Sequence, residues 1–305
     1  MSFAALPDSD GIGRRLVTLA NGLQLHVAEV GPPDGELVVL VHGFPEFWWS
    51  WRHQLRALGE AGLRAVAPDL RGYGDSDKPK PGSTMGDYGM VALAGDVAAL
   101  IEKLQAERGK AGQPAVLVGH DWGGAICWAV PALHPQAVKK LAILNAPHPG
   151  AFRRALWRHP SQLGKSWYIL MFQIPGLAEQ LFRRDPGRMM AKTLYGAAGN
   201  RSAIVREDVQ VYADAITRPG VLECALAYYR NIGGSLRHFE ALTQPIACPV
   251  LVLWGKKDPA LGAFLAEDGR PFCTSSYEIS WFPNAGHWLQ LEEQQAVTDA
   301  LLAFA

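Results

Sequence analysis

Ala115-Val116-Leu117-Val118-Gly119-His120-Asp121-Trp122-Gly123-Gly124 carries the outline of the fold. Four apolar residues make a short strand, and Gly123–His134 reads as a helix. Between them Asp121 sits on a turn with glycine two places to either side. Such a strand–turn–helix presents its central residue as an exposed nucleophile. The glycines are steric requirements, because a side chain at 119 or 123 would collide with a neighbouring strand or helix. A glycine pair alone is weak evidence; the strand before and the helix after supply the context.

The central residue is an aspartate, and that decides the chemistry. A carboxylate attacking an ester or amide would give an anhydride, a poor intermediate. Attack on an sp³ carbon bearing a leaving group gives an alkyl ester that water can cleave. Asp121 therefore predicts an alkylating substrate, a strained epoxide or an alkyl halide. Its alternative role is an ordinary cap on the helix that follows.

Outward from this motif, short and nearly unbroken apolar runs recur at Leu37–Val41, Arg64–Pro68, Lys140–Leu144 and Pro249–Trp254. Unbroken apolarity suits strands covered on both faces of a parallel sheet. Helical stretches at Trp51–Ala61, Asp87–Glu107 and Glu292–Phe304 separate or follow them. Two earlier runs, Arg15–Leu19 and Leu23–Val30, flank Asn21-Gly22 and read as a hairpin. The sum is an α/β fold, a mostly parallel sheet with an N-terminal antiparallel hairpin. Between 149 and 243 no strand-like run appears. Helical segments at Ser161–Phe172, Pro175–Phe182, Val205–Ala215 and Gly220–Asn231 stand there instead. The expected division is a core of residues 1–148 and 244–305 with an inserted helical lid, 149–243, roofing the strand ends where ligands bind.

Composition narrows the function further. The chain has 305 residues, 49% hydrophobic and 19% charged, enough for a full core. Lys+Arg and Asp+Glu balance at 29 each, so no long-range field draws it to nucleic acid or to a membrane. Cys127, Cys224, Cys248 and Cys273 form no CxxC pair, so they read as small apolar residues in a reducing compartment, with no disulfide or zinc framework. Met1–Asp10 has no apolar core of a signal peptide, and no run is long enough to span a bilayer. The expected location is the cytoplasm, and no cofactor or metal is expected.

An alkyl ester must be hydrolysed, which calls for a base and a group to orient it. His287 lies in Phe282-Pro283-Asn284-Ala285-Gly286-His287-Trp288, after the strand-like Tyr277–Trp281. Asp258 follows the strand Pro249–Trp254 directly. Its Asp258-Pro259 pair is also an ordinary turn, which is compatible with a role as the acid. The order nucleophile, acid, histidine is the one an α/β-hydrolase uses. The preceding strand ends at Asn145, which is neutral and cannot stabilise an imidazolium.

Across nearly its whole length the chain resembles the epoxide-hydrolase branch of the α/β-hydrolase fold. The likeness rests on His42–Gln54 (HGFPEFWWSWRHQ), Arg71–Pro79 (RGYGDSDKP), Gly119–Gly124 (GHDWGG), Asn145–Pro149 (NAPHP), Trp254–Asp258 (WGKKD) and Asn284–Trp288 (NAGHW). In that fold the backbone N–H groups of Phe44 and Trp122 would form the oxyanion hole, and Phe44-Pro45 is a candidate cis bond. The resemblance implies two lid tyrosines that protonate the departing epoxide oxygen, matched here by Tyr168 and Tyr229. A phenol is a donor at neutral pH. Spacing alone does not choose between Tyr228 and Tyr229; the resemblance favours Tyr229. Glu46 matches an acid that positions the hydrolytic water in some members, and it would serve equally as an anchor for its loop.

The expected partners are a small hydrophobic epoxide and water, the lid aromatics Trp157, Trp167, Phe172 and Phe239 suggesting an apolar pocket. The alternative is a haloalkane dehalogenase using the same nucleophile. Those enzymes need a second halide donor, often an Asn after the His-Gly of the oxyanion loop, where this chain has Phe44. A fluoroacetate-type dehalogenase would carry Arg after the nucleophile, where this chain has Trp122. A non-catalytic binding protein on the same scaffold would be marked by a missing triad member, and none is missing.

Overall fold

The computed structural model describes residues 6–84 and 86–305, with the side chains of 235 and 236 excepted. The first half of the Met1–Asp10 segment read above therefore lies outside the described residues. Eight strands form one sheet: β1 (Gly13–Thr18), β2 (Gln24–Val30), β3 (Leu37–Val41), β4 (Arg64–Pro68), β5 (Ala115–His120), β6 (Val138–Leu144), β7 (Val250–Gly255) and β8 (Tyr277–Phe282). Their order is β1-β2-β4-β3-β5-β6-β7-β8. β1 and β2 pair antiparallel, as does β2 with β4, while every pair from β4 to β8 is parallel. β3, β4, β5 and β7 are buried along their whole length, which is why their sequences read as continuous apolar runs. The hairpin turn closes at Gly22 with φ +86°, a backbone that glycine adopts without cost.

Helices α1 (Arg52–Glu60), α2 (Met90–Glu107) and α3 (Asp121–Leu133) connect the first strands. α2 starts three residues later than its sequence suggests, because the Asp87 carboxylate accepts the N–H of Gly89 and holds the approach in a turn. Between β6 and β7 lie only helices: α4 (Pro149–Arg158), α5 (Pro160–Lys165), α6 (Trp167–Gln173), α7 (Leu177–Arg184), α8 (Pro186–Ala197), α9 (Arg206–Ile216), α10 (Val221–Arg230), α11 (Ile232–Ser235) and α12 (Phe239–Leu242), with short 3₁₀ turns. α13 (Phe264–Asp268), α14 (Leu289–Glu292) and α15 (Gln294–Phe304) complete the chain.

The single helix expected over Ser161–Phe172 is two, α5 and α6, broken at Ser166. Buried Gln162 lies one turn before the break. Its amide reaches Ser166 Oγ at 3.2 Å and Ala260 O at 2.8 Å, and its carbonyl accepts Gly262 N–H at 2.9 Å. These bonds tether α5 to the loop after β7. α8 was absent from the sequence reading, although Asp185-Pro186 marks its start: the Asp185 carboxylate caps Arg188 N–H and Pro186 opens the helix. All four cysteines are free, with Cys127 and Cys224 buried. No helix among the described residues is long and apolar enough to cross a membrane.

Candidate active site

The turn after β5 has the geometry its sequence requires. Asp121 takes φ +51°, a left-handed backbone rarely held by a residue with a side chain. A Cβ at Gly119 would lie 2.6 Å from Gly123 O, and one at Gly123 would lie 2.3 Å from Val41 O, so both glycines are obligatory. Phe44-Pro45 is cis. This loop delivers the Phe44 N–H to Asp121 Oδ1 at 2.8 Å. The N–H of Trp122 falls in the first turn of α3, where no intrahelical acceptor exists.

His287 stands on the other side of the carboxylate. Its Nε2 is 3.3 Å from Asp121 Oδ2, and its Nδ1 is 2.7 Å from Asp258 Oδ2. Asp258 is fully paired. Its Oδ1 accepts from the N–H groups of Ala260 and Leu261 at 2.8 and 3.0 Å, and its Oδ2 also takes the Asn145 amide at 2.8 Å. Burial penalises all three charges, yet they support one another. The hydrogen bond and charge of His287, with the Phe44 N–H, outweigh the burial of Asp121 and hold it below the usual carboxylate range. Burial of Asp258 is likewise outweighed by the charge and bond of His287. Burial disfavours the imidazolium, but Asp258 and Asp121 raise His287 well above the ordinary histidine value.

Two tyrosines come from the helices inserted between β6 and β7. Tyr168 on α6 and Tyr229 on α10 have ring centroids 6.1 Å apart. Gln173 donates to Tyr229 O at 2.9 Å and Arg230 to Phe172 O at 3.0 Å, so the two helices are laced together beside both phenols. Burial, then the Asp121 charge, raises both phenols above the usual tyrosine range, and the Trp122 ring packs edge-on against Tyr229 with centroids 5.0 Å apart. Tyr228 faces elsewhere: its hydroxyl donates to Arg71 O at 2.8 Å, and Arg71 is held by Asp96 at 2.5 and 2.6 Å. Of the two adjacent tyrosines, only Tyr229 lines the cavity with Asp121.

That cavity has a volume of about 220 Å³ and is lined by Asp121, Trp122, Tyr168 and Tyr229 together with apolar Phe152, Leu156, Ile169, Ile232 and Phe239. The expectation for the lid aromatics needs correction. Phe239 lines the cavity and Phe172 is buried, but Trp157 and Trp167 point to solvent. A helix apolar on two faces gives no periodicity to tell the inner face from the outer.

Glu46 is completely buried and fully engaged. Its Oε2 accepts Gly43 N–H at 3.0 Å and lies 2.7 Å from His120 Nδ1, while Oε1 accepts from Gln290 at 2.7 Å. His120 Nε2 in turn lies 2.8 Å from His287 O. Glu46 thus fixes the loop that carries Phe44 and, through His120, the loop that carries His287. Residues that the sequence did not single out add to this frame. Glu292 accepts from Gly286, Trp288, Gly199 and Asn200 N–H groups, joining the histidine loop to the lid end. Asn145, set aside as neutral, donates to the Asp258 carboxylate and accepts Gly255 N–H at 2.9 Å. Replacing it strands a buried carboxylate oxygen and a buried N–H. Asn145→Ala is therefore expected to lower stability by about 1–3 kcal/mol, read as a fall in Tm.

Residues 36–294 match the family described as the alpha/beta hydrolase fold. The chain is 34% identical to the Bacillus subtilis AB hydrolase superfamily protein YfhM, covering 97% of this chain and 98% of that one. It is 36% identical to epoxide hydrolase 3 of Xenopus tropicalis, covering 93% of this chain and 75% of the relative. Among solved structures, an epoxide hydrolase from Vigna radiata superposes with a TM-score of 0.80 at 32% identity, covering 97% of this chain and 98% of that one. With an aspartate on the turn after β5, two phenols above it and relatives of this kind over almost its full length, the chain belongs to the α/β-hydrolase fold family, within its epoxide hydrolase branch.

Proposed function

We propose that the protein converts a hydrophobic epoxide to a vicinal diol through an alkyl ester on Asp121. The observation that carries this reading is the sharing of one apolar cavity by the Asp121 carboxylate and the hydroxyl-bearing Tyr168 and Tyr229. Asp121 attacks one epoxide carbon, the C–O bond breaks, and a phenol gives its proton to the departing oxygen. His287, oriented by Asp258, then takes a proton from water as that water adds to the ester carbonyl. When the tetrahedral intermediate collapses, the bond from the carbonyl carbon to the ester oxygen breaks. The departing diol oxygen takes that proton from His287, and the second water proton restores the phenol. Negative charge develops on the oxygen facing Phe44 N–H and Trp122 N–H, each worth about 3–4 kcal/mol in comparable sites. The helices of residues 149–243 act as the lid, supplying both phenols and excluding water. A halide leaving group requires no proton, so a pair of phenols favours the epoxide over the dehalogenase reading.

A single turnover in ¹⁸O-water tests the covalent step. Because water attacks the ester carbonyl, the label is expected in the Asp121 carboxylate and not in the first diol released. Label in that diol with an unlabelled protein would exclude the ester.

The phenols also set a pH limit. An acid whose pKa is raised keeps its proton until pH climbs through the raised value, and both phenols are raised by burial and by Asp121. Alkylation measured by stopped flow should therefore hold its rate to about pH 10, where a free phenol is half ionised. A decline centred on that pH would show ordinary phenols.

A further inference from the structure

The outer surface of the lid has an unusual composition. Leu163, Trp167, Leu170, Ile174, Leu177 and Leu181 follow one another at alternating spacings of four and three along α5, α6 and α7, and all are exposed. Trp157 at the end of α4 is 86% exposed, Leu170 69% and Trp167 63%. Isolated surface hydrophobes are ordinary, but a run of this kind marks a surface that meets something. The stripe is not a helix seam, since Ser166 and the Ile174–Gly176 turn break it into three short pieces.

Charge identifies the occupant. The chain as a whole is neutral, yet residues 149–193 hold eight Lys and Arg against two Asp and Glu. Arg158 and Arg184 stand exposed at the two ends of the stripe, and Arg188 and Lys192 on α8 are exposed beyond it. No ion pair is made by these four among the described residues, whereas Arg183 pairs with Glu223. A second copy meeting this face about a two-fold axis would bring the same excess of positive charge against itself. An anionic lipid surface offers the opposite charge, and exposed tryptophan and leucine on short helices flanked by arginine suit the headgroup boundary.

We propose that the lid face formed by α4 to α7 docks onto anionic lipid surfaces without spanning them. Trp157, Trp167 and Leu170 enter the interfacial region while Arg158, Arg184, Arg188 and Lys192 meet the headgroups. The placement has a consequence for access. Leu156 and Ile169 line the cavity, and their chain neighbours Trp157 and Leu170 are exposed. On the epoxide reading above, on which this consequence alone rests, a lipid-dissolved epoxide would enter from the bilayer side.

The test is co-sedimentation of the full protein with vesicles of phosphatidylcholine alone or of equal parts phosphatidylcholine and phosphatidylglycerol. Pelleting is expected with the mixed vesicles, at least tenfold weaker with phosphatidylcholine alone, and weakened by salt. Trp157→Ser with Leu170→Ser should reduce it at least tenfold. Arg158→Glu with Arg184→Glu should abolish the preference for phosphatidylglycerol. All four positions lie outside the cavity, so turnover of a small water-soluble epoxide should be unchanged in both variants, and that assay reads the catalytic proposal separately. Equal pelleting with both vesicle types, no pelleting with either, or a lipid-free dimer dissolved by Trp157→Ser with Leu170→Ser would overturn the proposal.

Discussion

In the His287→Gln variant, an epoxide substrate is expected to leave the protein heavier by the mass of the intact substrate, with the adduct on Asp121. The imidazole is 3.3 Å from Asp121 Oδ2, and on the proposed mechanism it is needed only when water attacks the ester. Removing a general base costs about 10²–10⁴ in the step it serves, so hydrolysis should stall while alkylation proceeds. Mass spectrometry after mixing with substrate reads the adduct directly. Asp121→Ala should give none. Asp258→Asn should slow hydrolysis more than alkylation, because its carboxylate acts through the imidazolium it holds at 2.7 Å.

The same pair sets a pH signature. In the free protein, burial of His287 is outweighed by two flanking carboxylates, which hold it protonated above the usual range. Esterification removes the Asp121 charge, and with it one of the two influences that raise the imidazole. Its pKa then falls toward the level set by burial and Asp258. Ester hydrolysis should therefore rise with pH through a midpoint below that of His287 in the free protein, a difference visible by comparing single-turnover hydrolysis with an NMR titration of the resting enzyme. Normal turnover by His287→Gln would require another base.

The parts of this arrangement legible in the sequence share a physical character. β3, β4, β5 and β7 are buried on both faces and could be read as unbroken apolar runs. Gly119, Asp121 and Gly123 are local, and their spacing reports a backbone turn that admits few alternatives. The frame around Asp121, His287 and Asp258 is of another kind. Gln162 reaches Ala260 and Gly262, Asn145 reaches Asp258, and Glu292 reaches Gly199, each over some ninety residues or more. Polar side chains satisfying distant backbone groups have no periodicity and no motif, so they become visible only once the chain is folded. The lid shows the limit for apolar residues as well: Tyr168 faces the cavity and Trp167 faces solvent, and both are aromatics on the same short helix. The choice between Tyr228 and Tyr229 is of the same kind, since it turns on the Arg71 carbonyl that occupies the Tyr228 hydroxyl.

Replacing both phenols should nearly abolish epoxide opening. Opening the ring develops negative charge on oxygen inside an apolar cavity, where Tyr168 and Tyr229 are the lining hydroxyls and the other donor from the inserted helices, Arg153, lies over the Phe239 ring with its guanidinium carbon 4.1 Å from the ring centroid. With one phenol removed the other still donates, so Tyr168→Phe and Tyr229→Phe are each expected to slow alkylation by about one to three powers of ten, corresponding to roughly 1.5–4 kcal/mol per donor. Phenylalanine keeps the ring contacts, including the edge-on packing of Tyr229 against Phe44, Trp122 and Tyr168. A loss of activity therefore reports the hydroxyl and not the packing. The double variant leaves the alkoxide unsupported, and its effect should exceed that of either single change by at least a further power of ten. The loss should fall on alkylation, while hydrolysis of an ester formed slowly on Asp121 keeps its rate, since His287, Asp258 and the Phe44 N–H are untouched. Stopped-flow measurement of the two half-reactions separates these outcomes. Tyr228→Phe serves as the control: it removes the bond to Arg71 O and should lower stability without selectively slowing alkylation. If the double variant opened epoxides at the parent rate, or if the parent released halide from haloalkanes while leaving epoxides intact, the assignment of the leaving group would be wrong.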